Sequence, residues 1–217
     1  MTTWLLVHPP LLGPAVLESL AAELRSRGNA VRVPDLRPAV AEAAGWPERV
    51  VEEAAAEGSV DAVLGFSGAG VVLPAVAAAV RARRVVWVDA VLPVARGTTG
   101  TPPERLGQLA EFVRGDRYAA WPDWWRPEVL AVELPDADLR ARVAAEAPRL
   151  PADFYGVPVP VPASWPQGDV RYVQLSPAYD ADAAGARQRG WTVVGDGSGR
   201  HLDVATRPAA VADMSTG

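Results

Sequence analysis

The sequence predicts an α/β protein with a mostly parallel sheet flanked by helices. Short apolar runs typical of buried strands alternate with longer segments whose apolar residues recur at helical spacing. Four predicted strands, separated by predicted helices, occur before residue 89, and this alternation is typical of right-handed βαβ units. With 217 residues and no repeat or linker, residues 1–217 are predicted to form one domain with a substantial core.

The predicted strands are short apolar runs that end at turn residues. The first, residues 3–7, ends at His8-Pro9-Pro10, and residues 85–88 are followed directly by Asp89. The other strands are predicted at residues 30–33, 61–66, 171–175 and 191–194. These ends are important because the carboxyl ends of parallel strands form the ligand-binding edge of such a sheet.

The predicted helices occupy the intervals between these strands. Apolar side chains recur at helical spacing between Pro14 and Gly28, which are typical residues for a helix start and a helix end. Further helices are predicted at residues 46–57, 68–82, 136–147, 180–189 and 202–214. Pro208 lies within the last of these, and a proline disfavours an uninterrupted helix there.

Residues 97–168 interrupt the regular alternation. This insertion contains about half of the prolines, including a proline-rich run at residues 158–166, and four of the eight tryptophans. Those tryptophans are Trp121, Trp124, Trp125 and Trp165. The composition favours a small lid packed by indole rings over a pocket, although a helical cap that only protects the sheet edge would have the same composition.

Composition excludes several classes of function. The net charge of −5 provides no basic surface for nucleic acid, and no apolar run approaches the length of a membrane span. Without cysteine there is no disulfide, thiol nucleophile or thiolate metal site, and we expect no metal or other cofactor. The chain shows no signal-peptide pattern at its start, so we expect a cytoplasmic protein with a small-molecule substrate.

Residues 61–72, DAVLGFSGAGVV, contain the strongest functional signal. An apolar strand leads into a tight turn at Ser67, and a segment of small apolar residues follows at once. Such a turn strains the serine backbone, so the residues two positions away must be small, and here they are Gly65 and Ala69. The Gly68 amide would lie at a helix start, where negative charge is favoured. A serine that only caps the helix would give the same five residues.

A serine hydroxyl needs a neighbouring base, and only His8 and His201 are available. His201 follows the last strand in a glycine-rich loop late in the chain, which suits a base; a histidine in plain solvent at a helix start is the alternative. His8 also follows a strand, but the rigid Pro9-Pro10 comes next. We therefore favour a structural His8 whose imidazole is hydrogen-bonded to nearby backbone.

Three segments together resemble the α/β-hydrolase fold family. They are residues 65–69 (GFSGA), the loop at His8, and residues 199–204 (GRHLDV). The order of nucleophile, acid and histidine along the chain is also similar, and the small esterase and hydroxynitrile-lyase-like branch is the most similar part of the family. The resemblance covers most of the chain, with the insertion weakest, and implies that Ser67 is a nucleophile and His201 its general base.

The resemblance leaves two candidates for the acid that orients His201. Members of the family most often place it after the next-to-last strand, where Asp180 is the nearest carboxylate but also looks like a helix N-cap. Asp89 follows the strand after the serine segment, as in some lipases of this fold. We slightly favour Asp89. Asp182 and Asp203 are interpreted as solvated charges at helix starts.

The family pattern also places an oxyanion-hole amide at the second residue after the first histidine. That residue is Pro10, which has no N–H group. The hole would then use the amides of Gly68 and Leu11, or be incomplete. Losing one donor costs about 2.7–4 kcal/mol of transition-state stabilisation. For the substrate, the candidate contacts are Phe66 and three indoles of the insertion, those at positions 121, 124 and 125.

The leading hypothesis is a serine hydrolase that cleaves a carboxylic ester, thioester or lactone with an apolar acyl portion. A Ser-His-Asp triad would carry the reaction. Two other classes of protein remain open. One is a lyase or cyclase that uses His201 as a base without an acyl-enzyme, which the proline at position 10 motivates. The other is a ligand-binding protein without catalytic activity.

Overall fold

The computed structural model of the protein describes residues 1–165 and 168–217. Its strands, in chain order, are β1 (Thr3–Val7), β2 (Ala30–Arg32), β3 (Ala62–Phe66), β4 (Arg84–Val88), β5 (Gly97–Thr99), β6 (Val113–Arg114), β7 (Arg117–Tyr118), β8 (Val159–Val161), β9 (Asp169–Val173) and β10 (Thr192–Val194). Its helices are α1 (Glu18–Ser26), α2 (Trp46–Ala56), α3 (Leu73–Val80), α4 (Pro103–Ala110), α5 (Pro127–Glu133), α6 (Ala137–Glu146), α7 (Asp180–Gln188), α8 (Asp203–Thr206) and α9 (Pro208–Thr216). Within these two ranges no helix has the length and apolar character needed to cross a membrane.

Six strands form the main sheet in the order β10-β9-β4-β3-β1-β2. Every pair of neighbours in this sheet is parallel, so the parallel sheet predicted from the sequence is confirmed. The order reverses at β1, because β2 lies on one side of it and β3 on the other. The loops that follow β1 and β3 therefore diverge, and such a switch point is the usual ligand-binding position in a parallel sheet.

Both faces of the sheet are buried under helices. Along β1, Leu5 and Val7 belong to one apolar cluster, with side chains of α2, α3 and α7. Trp4 and Leu6 point the other way, into a cluster with side chains of α1, α6, α8 and α9. This alternation with a period of two explains why β1 is an uninterrupted apolar run in the sequence.

Three predicted helices differ from the observed ones. Residues Pro14–Leu17 form a 3₁₀ helix, and the regular helix α1 begins only at Glu18. Residues 67–71 form a 3₁₀ turn, and the regular helix α3 begins only at Leu73, with Pro74 in its first turn. The predicted helix at 202–214 is divided into α8 and α9 at Arg207. Pro208 explains the division, because a residue before proline is disfavoured in the α conformation, and Arg207 has φ −130° and ψ 52°.

The connection from β4 to β9 corresponds to the insertion in the sequence. Strand β5 pairs with β8 in antiparallel fashion, and β6 pairs with β7. The predicted helix at 136–147 is present as α6, and the Asp136 carboxylate accepts a hydrogen bond of 2.8 Å from the Leu139 amide at its start. The end of the proline-rich run, Pro166, lies outside the described residues.

The four tryptophans of the insertion do not pack as one group. Trp165 packs against Trp87 of β4 and against Trp191, with ring centroids 5.5 and 6.3 Å away. It therefore contributes to the core on one face of the sheet. The idea of a single indole cluster is wrong for this residue, because its position directly before β9 places it beside β4. The other three indoles lie in or next to the 3₁₀ turn Trp121–Trp124.

Candidate active site

Ser67 lies at the tip of a tight turn directly after β3. Its φ is +56°, a left-handed conformation that is unfavourable for residues other than glycine. The turn closes on small residues: a Cβ on Gly65 would lie 2.5 Å from Leu73 Cδ2, and one on Gly70 would lie 2.1 Å from the Val91 carbonyl oxygen. The Val91 amide also donates to the Ser67 carbonyl over 3.1 Å. The strained serine backbone is therefore held by its surroundings.

We expect the Gly70→Ala substitution to lower the free energy of unfolding by about 3 kcal/mol, because the added methyl group would overlap a backbone oxygen that cannot move away freely. Gly107→Ala is a matched control. Gly107 lies inside α4, and a Cβ added there would have no neighbouring atom within 4 Å, so alanine should stabilise by up to about 1 kcal/mol. Urea denaturation measures both. Equal stability of the two variants would contradict the close packing at Gly70.

His201 lies between Ser67 and Asp89. Its Nε2 atom is 3.0 Å from Ser67 Oγ, and its Nδ1 atom is 2.9 Å from Asp89 Oδ2. His201 belongs to the histidine loop, residues 195–202, which connects β10 to α8. The Gly199 amide of this loop donates to the Leu175 carbonyl over 2.8 Å and ties the loop to the end of β9. Elements distant in the sequence thus place a hydroxyl, an imidazole and a carboxylate in one hydrogen-bonded series.

The Asp89 carboxylate is fully buried and surrounded by hydrogen-bond donors. Its Oδ1 accepts from the Leu175 amide over 2.8 Å and from the Ser176 amide over 3.1 Å. Its Oδ2 accepts from Ser176 Oγ over 2.5 Å as well as from His201. Donors on both oxygens satisfy the buried carboxylate and fix its orientation toward the imidazole.

The other carboxylates considered from the sequence lie elsewhere. Asp180 is exposed, and its Oδ1 accepts from Gln174 Nε2 over 2.5 Å. Asp182 and Asp203 are not solvated charges, contrary to the expectation from sequence. Asp182 accepts from the Leu92 amide over 2.8 Å, and burial raises its pKa. Asp203 is buried and accepts from the Arg200 amide over 3.0 Å. Asp182 and Asp203 therefore each fix a loop that leads to the site. Their positions at helix starts in the sequence do not indicate this role.

Two aromatic rings enclose the His201 imidazole. Phe66 stacks on one side with ring centroids 4.5 Å apart, and Tyr179 stacks at 4.9 Å with an angle of 16° between the planes. Phe66 is fully buried, so it supports the imidazole rather than presenting a surface to solvent. The Tyr179 hydroxyl lies 3.0 Å from Ser67 Oγ. No pattern in the sequence singles out Tyr179 or Ser176, and their loop is predicted only as a source of Asp180.

His8 has a structural environment, as favoured from the sequence. The imidazole is buried; its Nε2 accepts from the Leu36 amide over 2.9 Å, which leaves Nδ1 to donate to the Pro9 carbonyl over 3.1 Å. Burial lowers the pKa of His8, because the charged form loses its hydration. Both nitrogens of the neutral imidazole are therefore hydrogen-bonded to backbone groups.

The lowered pKa of His8 predicts a loss of stability in acid. Above about pH 6.5 the imidazole is neutral in both folded and unfolded chains, and it contributes nothing to the pH dependence. As the pH falls below that value, the unfolded chain binds the proton first, so the free energy of unfolding decreases. We expect the decrease between pH 7 and 5 to be smaller in His8→Gln than in the natural chain. Denaturant titrations at both pH values measure it, and equal decreases would contradict the prediction.

The expected oxyanion site faces a proline ring. A Cβ on Gly68 would lie 3.3 Å from Pro10 Cδ, the methylene that replaces the amide hydrogen of residue 10. The Leu12 amide donates to the Pro9 carbonyl over 3.1 Å and closes the turn. Leu11 is half-exposed in this turn, and among the hydrogen bonds of residues 1–165 and 168–217 none involves its amide.

The three candidate indoles of the insertion have different surroundings. Trp124 stacks on Phe112 at 4.2 Å and donates to the Ala119 carbonyl over 2.8 Å, which makes it part of the internal packing. Trp121 and Trp125 contact each other edge to face at 5.9 Å, and 46% of Trp125 is exposed. These two therefore remain the indoles with surface available to a ligand.

Helix α5 is linked to the histidine loop. Arg200, next to His201, donates to the Val132 carbonyl over 2.5 Å. Val129 and Val132 of this helix are exposed, as is Val91, two residues after Asp89. Exposed apolar side chains are thus present beside the histidine loop. In the part of the chain that the structure describes, no group of three or more His, Asp or Glu side chains could hold a metal ion.

No family model matches the sequence, and no curated protein sequence matches it significantly. Solved structures do. An extracellular α/β-hydrolase from a Paenibacillus species has a TM-score of 0.74 at 19% identity, over 99% of this chain and 97% of that one. A pyrethroid hydrolase from Sphingobium faniae has a TM-score of 0.68 at 19% identity, over 98% and 94%.

A methylesterase from Arabidopsis is similar over 98% of this chain and 96% of its own, with a TM-score of 0.66 and 14% identity. These structures share the parallel sheet and the arrangement of its helices across nearly the whole chain. At such low identity the likeness concerns the course of the backbone. The chain has the α/β-hydrolase fold.

Proposed function

We propose that the chain is a serine hydrolase that cleaves a carboxylic ester, thioester or lactone with an apolar acyl portion. The observation that carries the proposal is the hydrogen-bonded series Ser67–His201–Asp89, with distances of 3.0 and 2.9 Å. These distances support the proposed roles of Ser67 as nucleophile, His201 as base and Asp89 as orienting carboxylate in acyl transfer. The similar structures include a pyrethroid hydrolase and a methylesterase, and their shared fold agrees with this class of reaction.

The positions of the atoms support the following roles. Ser67 Oγ attacks the carbonyl carbon while its proton passes to His201 Nε2, and Asp89 stabilises the imidazolium that forms. The Gly68 amide donates to the oxyanion. His201 then protonates the leaving group, which departs and leaves an acyl group on Ser67. Water, deprotonated by His201, attacks this acyl group, releases the acid and restores the Ser67 hydroxyl.

The apolar acyl portion is proposed from the surface next to the histidine loop. Helix α5, which Arg200 connects to that loop, exposes Val129 and Val132, and Trp125 just before it is half-exposed. An apolar acyl chain that covers this surface removes it from water, which contributes about 25 cal/mol per Å² of apolar area. A polar acyl group would lose its hydration there without gaining hydrogen-bond partners from these side chains.

A fluorophosphonate probe tests the proposed nucleophile. We expect covalent labelling of the folded protein on Ser67, located by peptide mass spectrometry, because the probe reacts with a serine activated by a neighbouring base. Ser198, an exposed serine of the histidine loop, is an internal control and should stay unlabelled. A folded protein that is not labelled at Ser67 would contradict the proposal.

Pro10 supports one second candidate, a lyase or cyclase in which His201 acts as a base without an acyl-enzyme. The proline ring next to Gly68 removes a donor that ester hydrolysis normally uses, whereas proton abstraction by His201 does not need it. Activity on the physiological substrate that is fully retained in Ser67→Ala would favour this second function over the first.

A further inference from the structure

The Tyr179 hydroxyl has no role in the series described so far, although it touches the same oxygen. It lies 3.0 Å from Ser67 Oγ. The Ser67 hydroxyl has one hydrogen, and in the proposed hydrolase this hydrogen is directed at His201 Nε2, also 3.0 Å away. In that arrangement Ser67 Oγ can only accept from Tyr179, so the tyrosine O–H is the donor.

Tyr179 is held in this position by its ring. The ring stacks on the His201 imidazole with centroids 4.9 Å apart and planes 16° apart. Tyr179 is the last residue of the 3₁₀ turn Pro177–Tyr179. This turn follows Ser176, whose hydroxyl donates to Asp89. The hydroxyl is therefore fixed by the same loop that fixes the acid, and little reorganisation is needed when charge develops beside it.

The oxyanion site, by contrast, lacks a donor where one is expected. Gly68 provides one amide, but Pro10 Cδ occupies the place of the second amide hydrogen. A tetrahedral intermediate on Ser67 carries its oxyanion on the carbon bonded to Oγ, about 2.4 Å from Oγ by ordinary covalent geometry. A hydroxyl that already lies within hydrogen-bond distance of Oγ can reach an oxygen so placed.

From these contacts we infer that the Tyr179 hydroxyl donates to the oxyanion and takes the place of the amide that Pro10 lacks. The inference rests on the proposed serine hydrolase. No bond to Tyr179 forms or breaks: its hydrogen bond moves from Ser67 Oγ to the oxyanion as the intermediate forms, and returns when the carbonyl is restored. Burial raises the pKa of Tyr179 to about 12, so the hydroxyl keeps its proton at physiological pH.

Tyr179→Phe is the direct test, because it removes the hydroxyl and keeps the stacked ring. With p-nitrophenyl acetate as substrate, we expect kcat to fall about 100-fold with little change in KM, since removing an oxyanion donor typically costs 10²–10³ in kcat. Phenyl acetate, which has a poorer leaving group, should show a similar loss. A loss found only with phenyl acetate would show that Tyr179 protonates the leaving group instead and would overturn the inference.

Pro10→Ala provides a second test that does not depend on how well a Tyr179 variant folds. It adds the missing amide. If Tyr179 already fills the site, the single variant should change kcat less than about fivefold, whereas in the Tyr179→Phe background it should restore kcat at least tenfold. A single Pro10→Ala variant that is about 100-fold faster than the natural chain would show an unfilled site and overturn the inference.

The proposed hydrolase and the role of Tyr179 fail in different ways. If the natural chain neither hydrolyses these esters nor reacts with a fluorophosphonate at Ser67, the proposed hydrolase is wrong. If it does both, and Tyr179→Phe retains kcat within about threefold of the natural value, only the role of Tyr179 is wrong. Thermal melting of each variant shows whether a lost rate reflects unfolding.

Discussion

Ser67→Ala should lower kcat for p-nitrophenyl acetate by about 10⁵–10⁶-fold, since removing the nucleophile of a serine-histidine pair abolishes nearly all covalent catalysis. In this chain the loss should be close to complete, because Ser67 is the only hydroxyl that His201 Nε2 contacts among the hydrogen bonds of the described residues. Stability should hardly change. The methyl group of alanine fits the same turn, although alanine tolerates the φ of +56° no better than serine.

Ser198→Ala is the control for this measurement. Ser198 lies three residues before His201, is exposed, and is hydrogen-bonded to Asp196, so its removal should leave kcat unchanged within about twofold. Initial rates with purified proteins, together with thermal melting, separate catalysis from folding. Residual Ser67→Ala activity above about 1% of the natural rate would mean that hydrolysis does not proceed through this serine.

The sequence predicted the sheet well because the sheet depends on short-range patterns. Buried strands such as β1 and β3 are uninterrupted apolar runs that end at turn residues, and both faces of each strand are covered. The serine turn was also visible, since the left-handed backbone of Ser67 requires small neighbours at fixed distances along the chain. Patterns of this kind can be recognised in the sequence without knowledge of the tertiary contacts.

The choice between Asp89 and Asp180 could not be made from the sequence. Both residues follow strands whose ends meet at the same edge of the sheet, so topology alone places each of them near His201. The structure separates them by side-chain orientation: Asp89 has a φ of +42° and its carboxylate contacts His201 Nδ1, whereas Asp180 starts α7 and contacts Gln174. The orientation of the Asp89 carboxylate depends on hydrogen bonds from Leu175 and Ser176, in the loop after β9.

Tyr179 could not be predicted for a related reason. Its role depends on a 3₁₀ turn that brings the ring back over His201, and no spacing in the sequence indicates such a stack. Trp165 shows the converse: a residue grouped with the insertion by composition packs instead on Trp87 in the sheet core. An aromatic residue in the sequence favours burial of its side chain, but the surface against which it packs depends on the fold.

Asp89→Asn should lower kcat by about 10⁴-fold, because an amide in this position favours the wrong tautomer of His201. The natural carboxylate accepts from His201 Nδ1, which leaves Nε2 free to take the Ser67 proton. An asparagine NH₂ group facing Nδ1 would donate to it and place the ring hydrogen on Nε2. The imidazole could then no longer act as a base toward Ser67.

The same substitution should also lower the free energy of unfolding by about 1–3 kcal/mol. The asparagine oxygen would keep the hydrogen bonds from the amides of Leu175 and Ser176, so the NH₂ group would face His201 and the Ser176 hydroxyl. Both of their charge-assisted hydrogen bonds to the buried carboxylate would then be lost. Asp180→Asn is the matched control: Asp180 is exposed and bonds to Gln174, and its substitution should change kcat less than about threefold. If Asp180→Asn lost more activity than Asp89→Asn, the acid would have to be reassigned to Asp180, and the loop after β9 would have to move its carboxylate to His201 during the reaction.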